Sequence, residues 1–202
     1  SVYSFKLRGA YNRLVQLGAA AVEKGVICAS AGNHAQGVAV AAARLGIRAV
    51  VVVPVTTPDI KVRAVRRLGA EVITHGEDFD EAQAHAYELG AASGAIFVHP
   101  FDDPDVIAGQ GTIGIELLRQ HPDEVEALFL PIGGGGLAAG VASVVRYLRP
   151  EVKLIGVEAA DAASMRAAFD AGGPVKLNEV GLFADGVSVK QVGDLTYRLC
   201  KD

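Results

Sequence analysis

Apolar positions change their spacing along the chain in a regular way, from the three-to-four-residue rhythm of amphipathic helices to short continuous runs bounded by glycine or proline. Leu7, Ala10, Tyr11 and Leu14 predict a helix over residues 8–17, with Ser4, Phe5 and Lys6 at its foot. After Gly25, residues 26–29 predict a short strand, residues 30–37 a polar, glycine-containing turn, and residues 38–45 an alanine-rich helix closed by Gly46. Residues 49–55, AVVVVPV, form a β-branched run of the kind buried on both faces of a parallel sheet. A helix at 58–68, a strand at 71–74, a helix at 79–90 and a strand at 95–98 follow. Strict alternation of this kind predicts an α/β fold with right-handed crossovers. Pro100 and Pro104 in HPFDDPD mark a boundary between two layers of structure. Beyond it the pattern predicts a helix at 107–120, a strand at 153–157, a helix at 163–171 and a Gly- and Val-rich tail in which YRLC, residues 197–200, reads as strand.

The stretch 127–148, ALFLPIGGGGLAAGVASVVRYL, reads as strand, four-glycine turn and amphipathic helix. Phe129, Leu130 and Ile132 suit an interior strand. Gly133, Gly134, Gly135 and Gly136 let backbone approach a ligand with no Cβ in the way. The helix that follows turns its unpaired N–H groups and the positive end of its dipole towards that turn, so an anion fits there and a phosphate fits best. A plain tight turn is the alternative. The spacing is neither GxGxxG nor a P-loop, which argues against a nucleotide. A second turn of the same build holds Ser30, Asn33, His34 and Gln36, more donors and acceptors than a turn needs. His34 is either a helix-start residue with an exposed ring or a binding residue, and a lysine placed like Lys6 is ordinarily a solvated surface group.

Composition narrows the class. The chain has 202 residues, half of them hydrophobic, and a formal charge of −4. It therefore has material for a sizeable core and no basic stripe for nucleic acid or an anionic membrane. Cys28 and Cys200 form no CxxC and no ligand set with histidine, so both are expected as reduced thiols in a cytoplasmic protein. No apolar run approaches the roughly 20 residues of a membrane span, and no charged-then-apolar leader opens the chain.

SFKLRGA, SAGNHAQG, PFDDPDVIAGQGT, GGGGLAAG and GLFADGV occur in this order. Together they resemble the fold-type II pyridoxal-phosphate enzymes, most closely the biosynthetic threonine dehydratase (threonine ammonia-lyase) family. The resemblance implies a two-lobed α/β architecture, tryptophan synthase β-like, with parallel sheets and a partial catalytic domain. Its small lobe would be residues 26–102, and its large lobe residues 1–25 and 103–202, with the cofactor in the cleft. The implied cofactor is pyridoxal 5'-phosphate. Lys6 would be the Schiff-base lysine and the base that handles the α-proton, and Phe5 would pack on the cofactor ring. Asn33 would meet the phenolic oxygen, and Ser30, Gly32, Asn33 and His34 would receive the substrate. Gly133, Gly134, Gly135, Gly136 and Leu137 would cradle the phosphate.

The implied reaction is dehydration and deamination of L-threonine, and of L-serine, to a 2-oxo acid and ammonia, as in the first step of isoleucine biosynthesis. The implied parent is a longer, homo-oligomeric protein that supplies the partner of the pyridine nitrogen outside this chain. A divalent-ion site of the related serine racemases would fall near Glu158, Ala162 and Ser164, but Ser164 lacks the carboxylate and no metal is predicted. A serine dehydratase or racemase of the same fold, or a module that only binds the cofactor, are the competing readings.

Overall fold

Four short apolar runs make the first sheet. Val26–Ala29 (β1), Ala49–Val53 (β2), Glu71–Thr74 (β3) and Ile96–Phe97 (β4) pair in the order β3-β2-β1-β4, all parallel. The two central strands are buried along their whole length, as the valine run requires. In this computed structural model the described residues are 2–122, 125–181 and 183–201, so Leu182 of the GLFADGV block lies outside them. Chain contacts divide it into two units, 1–100 and 101–202, and the division falls inside HPFDDPD.

In the first unit, Lys6–Leu17 (α1) packs on Asn33–Leu45 (α3), with the short Ala19–Lys24 (α2) between them in sequence. The contact runs through Gly37, where a Cβ would sit 3.2 Å from the backbone of Lys6 and Leu7. The contacts thus group residues 1–25 with the first sheet, where the resemblance would put them with the large lobe. Asp59–Arg67 (α4) and Phe79–Ser93 (α5) complete the unit. Ile27, Ala29, Val50, Val52, Ala82 and Ala86 form the core between α5 and the sheet.

The second unit contains a two-stranded parallel sheet, Ala127–Pro131 (β5) with Lys153–Val157 (β6). Its helices are Pro104–Gln120 (α6), Gly136–Leu148 (α7), Ser164–Ala171 (α8) and Asp194–Lys201 (α9). Leu130, Ile132, Val141, Val145, Met165 and Tyr197 share its core. Burial in β5 is one-sided: Leu130 and Ile132 are buried, whereas Phe129 is 67% exposed, against the interior strand expected from its apolar run. Residues 197–200 are helical in α9, not strand. Asp194 in the first turn and Arg198 and Lys201 in the last suit the helix dipole, and Thr196 and Tyr197 form its buried side.

α6 begins at Pro104, three residues before the expected start, because the Asp103 carboxylate caps it by accepting from the N–H groups of Asp105 (2.9 Å) and Val106 (3.1 Å). α6 and α7 pack closely where glycines face each other. A Cβ on Gly140 would lie 2.7 Å from the Gly111 nitrogen and overlap the Ile107 carbonyl. Gly140→Ala should therefore destabilise the fold by about 2–3 kcal/mol. Gly173→Ala, at a position with open space around it, should stay near neutral. Urea denaturation of the two variants side by side checks the difference.

Candidate functional site

The first loop lies at the carboxyl end of β1, a place where open parallel sheets bind ligands. It is shorter than the sequence pattern suggests, because α3 starts at Asn33 rather than residue 38 and carries His34, Gln36 and Gly37 on the helix. Ser30 Oγ accepts the Gly32 N–H at 3.1 Å, which makes the turn, and Gly32 stands at the N-cap of α3 with no side-chain cap. Asn33 is exposed at the helix start and Ser30 and Gly32 are partly buried.

His34 departs from the exposed-ring alternative: it is 3% exposed, and its Nε2 lies 2.9 Å from the Val98 carbonyl oxygen. A carbonyl only accepts, so Nε2 carries the proton and Nδ1 keeps its lone pair, with no hydrogen-bond partner. Burial first, then the nearby Lys6 charge, push its pKa down to about 3, with the Val98 bond opposing and His99 adding to the fall. A neutral ring with an acceptor at Nδ1 cannot donate to a carboxylate. Any anion at this helix start is left to backbone N–H groups and the Ser30 and Asn33 side chains. The unfolded chain takes up a proton near pH 6.5 that the folded chain refuses until about pH 3, so stability should fall as pH drops through that window. The expected loss is on the order of 3 kcal/mol between pH 7 and pH 4. His34→Gln should flatten this acid limb in urea titrations at the two pH values.

Lys6 is the first residue of α1. Its Nζ donates to the Pro100 carbonyl at 2.6 Å and sits 5.7 Å from the centroid of the Phe5 ring. Burial lowers its pKa from 10.5 to about 8. Far more of this amine is neutral at pH 7–8 than for a solvated lysine, so it is a prepared nucleophile and proton acceptor. Labelling of Lys6 by an amine-reactive reagent in cofactor-free protein should rise with pH around a midpoint near 8. Peptide mass spectrometry reads the labelling of the Lys6 peptide as the pH is raised.

The second loop lies in the other unit. Gly134, Gly135 and Gly136 are buried, Gly133 and Leu137 partly so. Gly135 is the N-cap of α7 with φ 94°, a left-handed conformation that favours glycine, and α7 has no side-chain cap. By contrast, α5 and α6 are capped by the Asp78 and Asp103 carboxylates. A Cβ on Gly134 would overlap the Phe101 ring, one on Gly136 would lie 3.0 Å from Phe101 Cα, and one on Gly135 would lie 2.8 Å from Thr196 Cβ. Phe101 belongs to the PFDDPDVIAGQGT block, but no sequence signal assigns it a role of its own, since it touches the loop only through the fold. The glycines thus let the loop pack closely on Phe101, Thr196 and Met165, and the α7 start has no side-chain cap, which leaves backbone N–H groups as the donor set for an anion.

Each loop is complete within its own unit: Phe5, Lys6, Ser30, Gly32, Asn33 and His34 in one, Gly133, Gly134, Gly135, Gly136 and Leu137 in the other. The family model for pyridoxal-phosphate dependent enzymes matches residues 2–202. The chain belongs to the pyridoxal-phosphate dependent enzyme family. It is 60% identical over its full length to a biosynthetic L-threonine dehydratase of Burkholderia multivorans, covering 40% of that protein. It is 56% identical to the corresponding Escherichia coli protein, covering 39% of it. The chain thus spans about two fifths of the length of these relatives.

Among solved structures, the processed threonine deaminase isoform 2 of Solanum lycopersicum matches with TM-score 0.96 and 54% identity, over 99% of this chain and 58% of that one. A maize serine racemase matches with TM-score 0.93 and 35% identity, over 98% and 60%. The architecture is that of the fold-type II members of this pyridoxal-phosphate family, with parallel sheets in α/β units. Glu158 accepts from the N–H groups of Met165 (2.8 Å) and Arg166 (2.9 Å) at the start of α8. Among the described residues no helix is long and apolar enough to cross a membrane.

Proposed function

We propose that this chain carries the cofactor- and substrate-binding core of a threonine dehydratase that converts L-threonine, and more slowly L-serine, to a 2-oxo acid and ammonia. The observation that carries the reading is the Lys6 amine, lowered to about pH 8 by burial beside the Phe5 ring. The cofactor fits the residues present: a nucleophilic amine for its aldehyde, and a glycine cradle with no Cβ for its phosphate. When bound, pyridoxal phosphate supplies the electron sink that makes the substrate α-proton acidic.

The chain's own residues do the rest. Gly133, Gly134, Gly135, Gly136 and Leu137 would hold the phosphate with backbone N–H groups and the α7 dipole. Phe5 would pack on the ring and Asn33 would donate to the phenolic oxygen. Ser30, Gly32, Asn33 and His34 would bind the substrate carboxylate, His34 through its backbone only. The Lys6 Nζ, neutral in a useful fraction at pH 8, would accept the α-proton.

We further propose that the parent protein is cytoplasmic and homo-oligomeric. Free Cys28 and Cys200 support a reducing compartment, although two plant relatives are chloroplastic by name. Light scattering checks the assembly.

The test of function is 2-oxo acid formation by the full-length parent from L-threonine and from L-serine. The expected result is turnover of both, with kcat/KM higher for threonine. Because one methyl group is worth only about 1–3 kcal/mol, that ratio should lie between roughly ten and two hundred. Absence of oxo acid from either substrate, with racemised serine recovered instead, would replace this reading by that of a racemase.

A further inference from the structure

In the second unit the glycine loop is held from two sides by residues outside it. Phe101 lies against Gly134 and Gly136 on one side. On the other, the buried Thr196 hydroxyl donates to the Gly134 carbonyl at 2.7 Å and accepts the Gly193 N–H at 3.0 Å. The Gly193 carbonyl is also within 3.1 Å, but a hydroxyl has one proton, and the shorter contact takes it. Thr196 is in turn fixed by Asp102, the neighbour of Phe101. The Asp102 carboxylate accepts from Asp194 N–H (3.1 Å), Leu195 N–H (3.0 Å) and Thr196 N–H (3.0 Å), the whole first turn of α9. Gly193 has to be glycine here, because a Cβ would overlap that carboxylate.

The consequence for the loop follows from peptide geometry. None of the described peptides is cis, and a trans peptide sets its N–H opposite its C=O. Holding the Gly134 carbonyl on Thr196 therefore fixes the direction of the Gly135 N–H at the start of α7. We propose that Thr196, braced by Asp102 through the first turn of α9, is a positioning residue for the anion cradle. It sets the Gly134–Gly135 peptide so that the Gly135 N–H is available to a phosphate. The proposal rests on the reading of the glycine loop as a phosphate cradle.

The test uses the full-length parent protein in cofactor-free form, titrated with pyridoxal 5'-phosphate and with pyridoxal, which lacks the phosphate. Thr196→Val keeps the shape and removes the hydroxyl, whereas Thr196→Ser keeps the hydroxyl. Loss of one buried hydrogen bond should weaken pyridoxal 5'-phosphate binding by about tenfold in Thr196→Val. Pyridoxal binding should stay unchanged, Thr196→Ser should stay within about threefold of wild type, and the phosphorus NMR signal of the bound cofactor should shift in the valine variant alone. If wild type prefers the phosphorylated ligand and Thr196→Val keeps that preference in full, the positioning role is overturned while the cradle stands. If wild type binds both ligands equally, the cradle reading falls and the proposal with it. Should the valine variant fail to fold, Asp102→Asn decides: a reduced preference for the phosphorylated ligand supports the brace, and full retention overturns it.

Discussion

Replacing Lys6 by alanine in the full-length protein is expected to lower threonine turnover by about a thousandfold or more while leaving the thermal midpoint close to wild type. The size reflects the two tasks proposed for Lys6, nucleophilic attachment of the cofactor and acceptance of the α-proton, of which a positioned base alone is worth roughly a hundred- to ten-thousandfold. Stability should change little, because burying the ammonium is a cost that the substitution relieves, set against loss of the bond to the Pro100 carbonyl and of the contact with the Phe5 ring. Lys6→Arg should be as inactive, since a guanidinium stays protonated throughout the working pH range. Steady-state kinetics on the three proteins is the check. An alanine variant within tenfold of wild type would remove Lys6 from the chemistry.

The second large effect is expected at Gly135. Alanine there must adopt φ near 94° and place a Cβ 2.8 Å from Thr196 Cβ and 2.9 Å from Met165 Cε. The left-handed conformation costs about 1–2 kcal/mol and the crowding a similar amount. The loop can escape only by turning its peptides, which would spoil the proposed anion cradle. Cofactor affinity should therefore fall by about a hundredfold, read by titration of the cofactor-free protein alongside a thermal melt. A folded Gly135→Ala variant with unchanged affinity would show that the loop geometry is not what holds the cofactor.

Much of the first sheet was legible because its strands are short apolar runs between glycines, and β1, β3 and β6 begin and end where the pattern puts them. Errors gathered where tertiary contacts decide. α3 starts five residues early because Ser30 and Gly32 complete the turn alone, and Gly37 is the crossing point for α1 rather than a loop residue. YRLC has strand-like composition, yet it continues a helix whose first turn, Asp194 to Thr196, donates its N–H groups to the Asp102 carboxylate, more than ninety residues away in sequence. Phe129 reads as interior, but among the described residues one face of β5 meets the core and the other faces outward.

The site divides in the same way. The four consecutive glycines stand out by residue type, whereas Lys6, ordinary at the foot of a helix, stands out only through the resemblance carried by SFKLRGA. What those places do to them, such as the depressed Lys6 pKa, is a property of burial that no local pattern contains. The His34 ring is the clearest case: a polar residue of a polar stretch, it lies on α3 and turns inward to the Val98 carbonyl.

The most direct measurement is borohydride reduction of the protein after incubation with pyridoxal 5'-phosphate, followed by digestion and peptide mass spectrometry. A single reduced cofactor adduct on the peptide that contains Lys6 is the predicted result, formed at stoichiometric cofactor near pH 8, with exposed Lys24, Lys153 and Lys201 unmodified. No adduct at Lys6, or an adduct spread evenly over the exposed lysines, would contradict it.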